Sequence, residues 1–303
     1  MKLSIITINY NNAEGLRKTL ASVAAQTYRD IEHIVIDGGS TDSSVEVIID
    51  YVNQCMKYDV LWVSEKDNGI YNAMNHGIEI ALGRRAVNED HTSNITHNTS
   101  QASPSDYIQI LNSGDILAAP DVTERMMNTL YTLHHTPYTE NPISILYGNM
   151  IKKDYATGRI IGKSGRTEYS LRNYYSGTMN HDCCYIRRDL FDTYGLYDEN
   201  LKIVSDWKWF LQAIGLGNVK PVYVDIDVTI FDASGISESN LELRNKERRQ
   251  VLEEILHPAI LADYDAHAFE MEQMHRLRKN HLYGVVYFIE RVLFKLEKWY
   301  ILR

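Results

Sequence analysis

The segment Tyr107–Asp115 ends in a group of side chains suited to binding or catalysis. It begins as an apolar strand pattern and stops at Asn112, Ser113, Gly114 and Asp115. A buried strand that ends in such a glycine turn presents a carboxylate at the carboxyl edge of a parallel sheet, where open α/β sheets bind their ligands. Asn, Ser, Gly and Asp are also ordinary turn residues, so this segment taken alone is more simply an Asx turn.

Three further turns change that balance, because each places a carboxylate or an amide directly after an apolar strand pattern. Their polar groups are Asn9 and Asn11, then Asp37, then Asp67 and Asn68. In a parallel sheet whose strands are joined by helices, every strand-to-helix turn lies at the same edge. We therefore expect these groups to converge with Asp115, which independent solvated loops would not explain.

Residues 3–111 alternate between strand and helix patterns. Apolar, β-branched runs predict the strands, and apolar residues spaced three and four apart predict the helices. The predicted strands are 3–8, 31–36, 60–64 and a fourth ending at Leu111, with helices at 13–26, 43–51 and 70–82 between them. This β-α-β-α-β-α-β order predicts an α/β fold with a mostly parallel central sheet and helices on both faces.

Composition excludes several classes of protein. The formal charge of −9 argues against nucleic-acid binding, which needs a basic surface. Three cysteines do not form a disulfide framework and indicate a reducing compartment. Because no signal-peptide pattern and no run of about 20 apolar residues occurs, we expect a cytoplasmic protein.

The remaining chain contains an insert and a helical end. Residues 84–105 are rich in Asn, Thr, Ser and His, which predicts a flexible, non-catalytic insert. Further patterns predict helices at 122–133, 207–214, 240–257 and 266–302 and strands at 145–150, 160–161, 181–186 and 222–226. We predict one domain at 1–235 and a C-terminal helical extension at 236–303.

Five motifs occur in order along this framework: TINYN at 7–11, DGGSTD at 37–42, KDNGIYNAMNHGI at 66–78, LNSGD at 111–115 and SDW at 205–207. In order and spacing they resemble family 2 glycosyltransferases, and more closely the bacterial colanic-acid and capsule type. The resemblance covers roughly residues 1–235. It implies a GT-A fold, a nucleotide-sugar donor, a divalent metal ion and an inverting, single-displacement transfer.

The resemblance also implies residue roles on the donor side. Asp37 matches the acid that hydrogen-bonds the base, and its acceptor oxygens suit the ring N–H of uracil, which favours a UDP-sugar. Asp67 and Asn68 stand at a helix N-terminus, which favours anions. The full set implied to bind the nucleotide-sugar is Thr7, Asn9, Asn11, Asp37, Asp67, Asn68, Gly69, Asn72, Asn75, Asn112, Ser113 and His181.

Asp115 matches the last acid of the family's metal-binding motif. The usual first acid of that motif is replaced here by Ser113. One carboxylate suits Mg²⁺ or Mn²⁺, since these ions keep several waters and take further ligands from a diphosphate.

Asp206 matches the acid that opens the acceptor-side helix, and we predict that it is the general base. A carboxylate there would accept the proton of the acceptor hydroxyl as the new bond forms. The alternative is that Asp206 only caps its helix, since Asp is a favoured N-cap residue. His181 either orients the donor diphosphate or the acceptor, or is a packed strand histidine.

The C-terminal end differs in charge from the rest of the chain. Residues 276–303 carry seven Lys or Arg and two Glu, a net charge of +5, so residues 1–275 carry −14. Aromatic side chains alternate with these basic ones, as in helices that lie on anionic membranes. The alternatives are a helix packed on the body or a homodimer contact.

The predicted function is therefore an inverting glycosyltransferase of cell-surface polysaccharide biosynthesis, with a glycan or lipid-linked acceptor. A sugar-phosphate nucleotidyltransferase would need a Gly-rich first loop with Arg and Lys, which residues 7–12 lack. A catalytically silent nucleotide-sugar-binding module is the second alternative, against which the presence of both Asp115 and Asp206 argues.

Overall fold

The computed structural model of the 303-residue chain describes residues 1–55, 58–87, 106–134, 142–154, 157–165, 170–232, 240–279 and 283–301. They form two compact units, Met1–Arg248 and Arg249–Arg303. The predicted insert at 84–105 falls mostly outside the described residues, which stop at 87 and resume at 106.

A nine-stranded sheet runs through the first unit. Its strands are β1 (Leu3–Asn9), β2 (Ile31–Asp37), β3 (Asp59–Ser64), β4 (Tyr107–Asn112), β5 (Ile116–Leu117), β6 (Ile145–Asp154), β7 (Arg159–Lys163), β8 (Cys184–Arg187) and β9 (Val222–Asp232). Their order is β3-β2-β1-β4-β8-β6-β9-β5, with β7 paired to β6.

The helices are α1 (Ala13–Ala24), α2 (Ser44–Gln54), α3 (Ile70–Ala81), α4 (Val122–His134), α5 (Leu171–Ser176), α6 (Asp189–Tyr194), α7 (Ser205–Phe210), α8 (Leu241–Ile255), α9 (Pro258–Arg278) and α10 (Tyr283–Ile301). A 3-10 turn at His181–Cys183 precedes β8, and a π-helical turn at Leu211–Leu216 follows α7.

Strands β1 to β4 form the parallel part of the sheet, with β1 between β2 and β4 and β3 beyond β2. Every residue of β1 and β2 is buried, because helices cover both faces. Val35 of β2 packs with Leu16 of α1 and Ile48 of α2, whereas the next residue, Ile36, faces α3. The α/β fold predicted from the alternating patterns is confirmed.

The other half of the sheet is mixed. Strand β8 is antiparallel to both β4 and β6, and β9 is parallel to β6 with two register shifts. Those shifts let β9 continue to Asp232, six residues beyond the strand predicted at 222–226. The two-residue β5 has too short a pattern to be predicted.

Two predicted elements differ from the structure. His181 was expected in a strand at 181–186, but it lies in the 3-10 turn, because β8 pairs with β4 and β6 only from Cys184 onwards. The helix expected at 266–302 is two helices, α9 and α10. Helix α9 begins at Pro258, since proline suits the first helical position, where its missing N–H costs nothing.

The second unit contains the end of α8 together with α9 and α10. Large apolar side chains are exposed along α10, among them Val286, Phe288 and Leu293. Within the described part of the chain, no helix is both long enough and apolar enough to span a membrane.

Gly77 is required where α3 packs on β1. A Cβ atom at this position would lie 2.3 Å from Cγ2 of Ile6, which is fully buried and cannot move aside. We expect Gly77→Ala to lower the free energy of unfolding by about 1–3 kcal/mol through overpacking, less about 1 kcal/mol gained in helix propensity. Urea denaturation measures this change.

Gly284→Ala in α10, where the new methyl group meets open space, is the control and should be neutral or stabilising. Equal destabilisation by both substitutions would contradict this account of the α3 contact.

Candidate active site

A cavity of about 160 Å³ lies where the carboxyl end of β4 meets the 3-10 turn and α7. Four of the predicted site residues line it: Asn112, Asp115, His181 and Asp206. They come from segments far apart in the chain, so the fold and not local sequence brings them together.

Asp206 is held at both of its carboxylate oxygens. The Tyr71 hydroxyl donates to Oδ1 at 2.9 Å, and Nδ1 of His181 lies 3.1 Å from Oδ2. The N-cap position of α7 is Val204, and among the described residues no side chain caps this helix. The carboxylate of Asp206 is thus directed at the cavity residues, unlike a carboxylate that caps its own helix.

The charges of His181 and Asp206 stabilise each other. Burial disfavours the charged form of His181, but the hydrogen bond and charge of Asp206, followed by Asp182 and Asp115, outweigh it and raise the pKa of His181 to about 8. Burial likewise disfavours charge on Asp206, but His181 and then Tyr71 lower its pKa below the usual value. At neutral pH the pair is therefore an imidazolium and a carboxylate.

Asn112 connects this pair to the turn that carries Asp115. Its side-chain amide lies 3.2 Å from Nε2 of His181. Since a protonated imidazole donates at both ring nitrogens, the amide oxygen is the atom that accepts from Nε2–H. Thr19 of α1 supports the turn, donating to the Asp115 carbonyl at 2.7 Å and accepting from Gly114 N–H at 2.9 Å. Ser113 lies beside Asn12, whose Nδ2 donates to the Ser113 carbonyl at 3.1 Å.

A second cluster, which we call the Asp37 cluster, joins the ends of β1, β2 and β3. Asn9 donates to Oδ1 of Asp37 at 2.8 Å, and Ser64 donates to its Oδ2 at 2.7 Å. Ser40 donates to Oδ1 of Asp37 and accepts from Asn11 N–H. Oδ1 of Asn9 is buried with no hydrogen-bond partner in the described part of the chain.

Asp67, Asn68 and Gly69 lie next to this cluster, at the start of α3. Oδ1 of Asp67 accepts from Gly69 N–H at 2.9 Å, and Oδ2 lies so close to Gly38 that a Cβ there would be 2.4 Å away. Gly69 has φ +125°, which favours glycine at this turn.

Three of the predicted donor-binding side chains are engaged elsewhere. The Thr7 side chain is fully buried, with its hydroxyl 2.9 Å from Nε2 of His33, so it is not presented to a ligand. Asn72 and Asn75 share a helix face as predicted, but each donates to the Glu199 carboxylate. These two hydrogen bonds tie that face of α3 to the loop before α7, so both amides already have a partner within the chain.

Three residues at this site were not predicted. Tyr71 lies within the KDNGIYNAMNHGI segment, but an aromatic residue in a helix pattern indicates a core position, so its bond to Asp206 was missed. Arg244 and Arg248 of α8 also line the cavity. Their helix was interpreted as a charged surface helix, and no local signal distinguishes these two arginines from its other basic residues.

The donor atoms near Asp115 suit a hard cation only in part. No group of three or more His, Cys, Asp or Glu side chains within the described residues is arranged to hold a metal ion. The Asp115 carboxylate and the amide oxygen of Asn112, which has a second lone pair, are oxygen donors of the type that Mg²⁺ and Mn²⁺ prefer. These residues fit an ion that takes most of its ligands from a substrate and water.

The His181–Asp206 pair predicts a pH-dependent contribution to stability. Because the pKa of folded His181 is raised, the contribution is complete below the ordinary histidine value of 6.5 and is lost as pH rises through about 8. The unfolding free energy of the wild type minus that of His181→Gln should be larger near pH 6 than near pH 9. The expected increase is on the order of 2 kcal/mol, since a pKa change of one unit corresponds to about 1.4 kcal/mol. Urea denaturation across this range measures the difference. In an Asp206→Asn background the extra stabilisation near pH 6 should be lost, because burial of His181 is then no longer opposed by this carboxylate. A constant difference between wild type and His181→Gln from pH 6 to pH 9 would rule out the ion pair.

Comparisons with known proteins agree with this architecture. The family model for glycosyl transferase family 2 matches residues 4–195. An uncharacterized glycosyltransferase of Mycobacterium tuberculosis is 30% identical over 240 residues, which is 77% of this chain and 76% of the relative.

Solved structures share the fold at lower identity. S. aureus TarS 1–349 in complex with UDP-GlcNAc has a TM-score of 0.59 at 18% identity, covering 83% of this chain and 64% of that one. This chain spans 43% of another TarS crystal structure. The mannosyltransferase PcManGT from Pyrobaculum calidifontis, in complex with GDP-Man and Mn²⁺, has a TM-score of 0.53 at 15% identity, covering 82% and 60% of the two chains. The chain belongs to glycosyltransferase family 2 and is a glycosyltransferase with a GT-A fold.

Proposed function

We propose that this protein is an inverting glycosyltransferase that moves a sugar from a UDP-sugar to an acceptor hydroxyl, with Asp206 as the general base. The observation that carries the proposal is the Asp206 carboxylate, bound by Tyr71 and His181 and lining the same cavity as Asp115. A transferase of this kind needs a base and a place for the departing diphosphate, and the cavity supplies a candidate for each.

The proposed base works by geometry and charge. The acceptor hydroxyl attacks the anomeric carbon of the donor while its proton passes to Asp206, and the bond from that carbon to the diphosphate breaks. Asp206 is ionised at neutral pH, so it can accept that proton. Tyr71 and His181 fix the orientation of the carboxylate, and the imidazolium also favours the negative charge that develops on the diphosphate.

The Asp37 cluster is the proposed site for the base and ribose of the donor. It offers carboxylate and amide oxygens, including the unpartnered Oδ1 of Asn9, and these can accept the N–H of a pyrimidine base. The TarS fragment of similar fold was crystallised with UDP-GlcNAc, which supports a UDP-sugar here. Asn11, Asp67, Asn68, Gly69 and Ser113 remain proposed donor contacts at the adjoining turns.

We assign a divalent cation, Mg²⁺ or Mn²⁺, to Asp115. Asp115 would provide the carboxylate and Asn112 an amide oxygen, and when bound the ion would neutralise charge on the diphosphate. PcManGT, which has a similar fold, was solved in complex with GDP-Man and Mn²⁺, which supports metal use.

The proposed acceptor is a glycan or lipid-linked saccharide of the cell surface, reached from the cytoplasmic face of the membrane. The motifs that resemble colanic-acid and capsule enzymes support this role. The net charge of +5 over 276–303 and the exposed apolar side chains of α10 suit an anionic lipid surface. We therefore assign α10 to peripheral membrane contact, with self-association as the outcome that would replace it.

The proposed role of Asp206 predicts that replacing this residue abolishes sugar transfer but leaves nucleotide binding intact. Thermal shift of the wild type with UDP, GDP and dTDP, each with and without Mn²⁺, should give a metal-dependent rise in melting temperature with UDP. Asp206→Asn should keep that rise but lose transfer or donor hydrolysis by about 10²–10⁴-fold, because the proton acceptor is removed.

Asp198→Asn is the matched control for this experiment. It makes the same chemical change in a carboxylate that pairs with Lys208 at 2.8 Å and does not line the cavity, so activity should change little. A folded wild type that no nucleotide stabilises, or an Asp206→Asn variant with full activity, would contradict the proposed function.

The membrane assignment predicts that binding to vesicles depends on the C-terminal helices. Full-length protein should sediment with vesicles of phosphatidylcholine and phosphatidylglycerol and be released by salt, while protein truncated at Tyr264 should remain in the supernatant. Vesicles of phosphatidylcholine alone are the control. If both forms behave alike and the full-length protein elutes as a dimer in size-exclusion chromatography, α10 is a self-association surface.

A further inference from the structure

Helix α8 brings two arginines to the cavity from a part of the chain outside the recognised motifs. Arg244 and Arg248 are one helical turn apart, so they project from the same face of α8. Both line the cavity that also contains Asp115, His181 and Asp206. The cavity therefore has a cationic wall whose role the proposed base and metal do not explain.

The position of this helix is fixed by Glu247. This buried carboxylate accepts the backbone N–H groups of Lys202 and Ile203 at 2.8 and 2.9 Å. Those two residues lie directly before α7, which carries Asp206. Glu247 thus ties the arginine-bearing turn of α8 to the segment that carries the proposed base.

The two guanidinium groups are placed to bind an anion. Arg248 lies over the Trp207 ring, with its Cζ 5.0 Å from the ring centroid, a cation–π contact that fixes the position of the guanidinium at the cavity. Nε of Arg244 is buried and has no hydrogen-bond partner among the described residues. A buried N–H donor of this kind costs free energy unless a ligand accepts a hydrogen bond from it.

The chemistry of the site points to phosphate as that ligand. A guanidinium matches the oxygens of a phosphate group in a bidentate arrangement. The metal motif has one acid, Asp115, where the family usually has two, so it holds a cation less strongly, and the arginines add positive charge that does not depend on that ion. We propose that Arg244 and Arg248 bind the diphosphate of the nucleotide donor and stabilise it as it leaves. This inference rests on the proposed function.

UDP and uridine differ only by the two phosphates, so comparing the affinity of the protein for each separates contacts to the phosphates from contacts to the base. Isothermal titration of the full-length protein with UDP and with uridine, in Mg²⁺, gives the preference for the diphosphate. Arg244→Gln should reduce that preference about tenfold and the Arg244→Gln/Arg248→Gln double variant about 100-fold, with uridine affinity unchanged, since charged hydrogen bonds are typically worth a factor of this size.

Arg249→Gln is the matched control, because it removes the same charge from the next residue of α8. Arg249 pairs with Glu253 and Asp265 and does not line the cavity, so its UDP preference should equal that of the wild type. Arg244→Lys, which keeps the charge but not the planar fork, should lie between wild type and Arg244→Gln. Thermal melts establish that each variant is folded.

Each alternative outcome is distinguishable. A folded double variant that retains the full preference for UDP would overturn the inference and leave the proposed function standing. Unmodified protein that binds neither UDP nor uridine, and neither GDP nor guanosine, would overturn both. Glycerol phosphate is the second probe: if the double variant loses its binding while UDP binding is intact, the arginines hold an acceptor phosphate and the donor assignment is wrong.

Discussion

The site depends on the hydrogen bonds that hold the Asp206 carboxylate. Tyr71 comes from α3, His181 from the turn before β8 and Asp206 from α7, so one side chain links three segments separated by 135 and 25 residues. Burial alone would raise the pKa of Asp206, and its partners reverse that effect. The sheet, the helix packing and the loop contacts together keep these three groups within hydrogen-bonding distance.

Much of this arrangement could be predicted because a parallel sheet places its strand-to-helix turns at one edge. Together with the resemblance to family 2 enzymes, which added His181 and Asp206, that rule selected Asn112 and Asp115, and the structure brings all four to one cavity. It also selected Asn9, Asn11 and Asp37, which meet at the neighbouring strand ends. Local pattern suffices there because the backbone itself determines where each side chain lies.

Sequence patterns did not reveal the long-range hydrogen-bond partners of several of these side chains. Asn75 was interpreted as a donor contact, but it bonds to Tyr197 and Glu199, more than 120 residues later in the chain. The partner of Thr7, His33, likewise lies on the neighbouring strand, where no local pattern indicates the contact. Arg244 and Arg248 gave no signal, because a helix with many charges does not reveal which of them face inward.

The double anchoring of α3 has a kinetic consequence. Tyr71 on this helix holds the Asp206 carboxylate, the proposed base, and Asn72 and Asn75 hold the Glu199 loop that leads into α7. The carboxylate is therefore supported from both sides by rigid elements and needs little reorganisation when the proton is transferred. For the proposed base this support predicts that turnover responds more to how the substrates fit than to motion of the carboxylate.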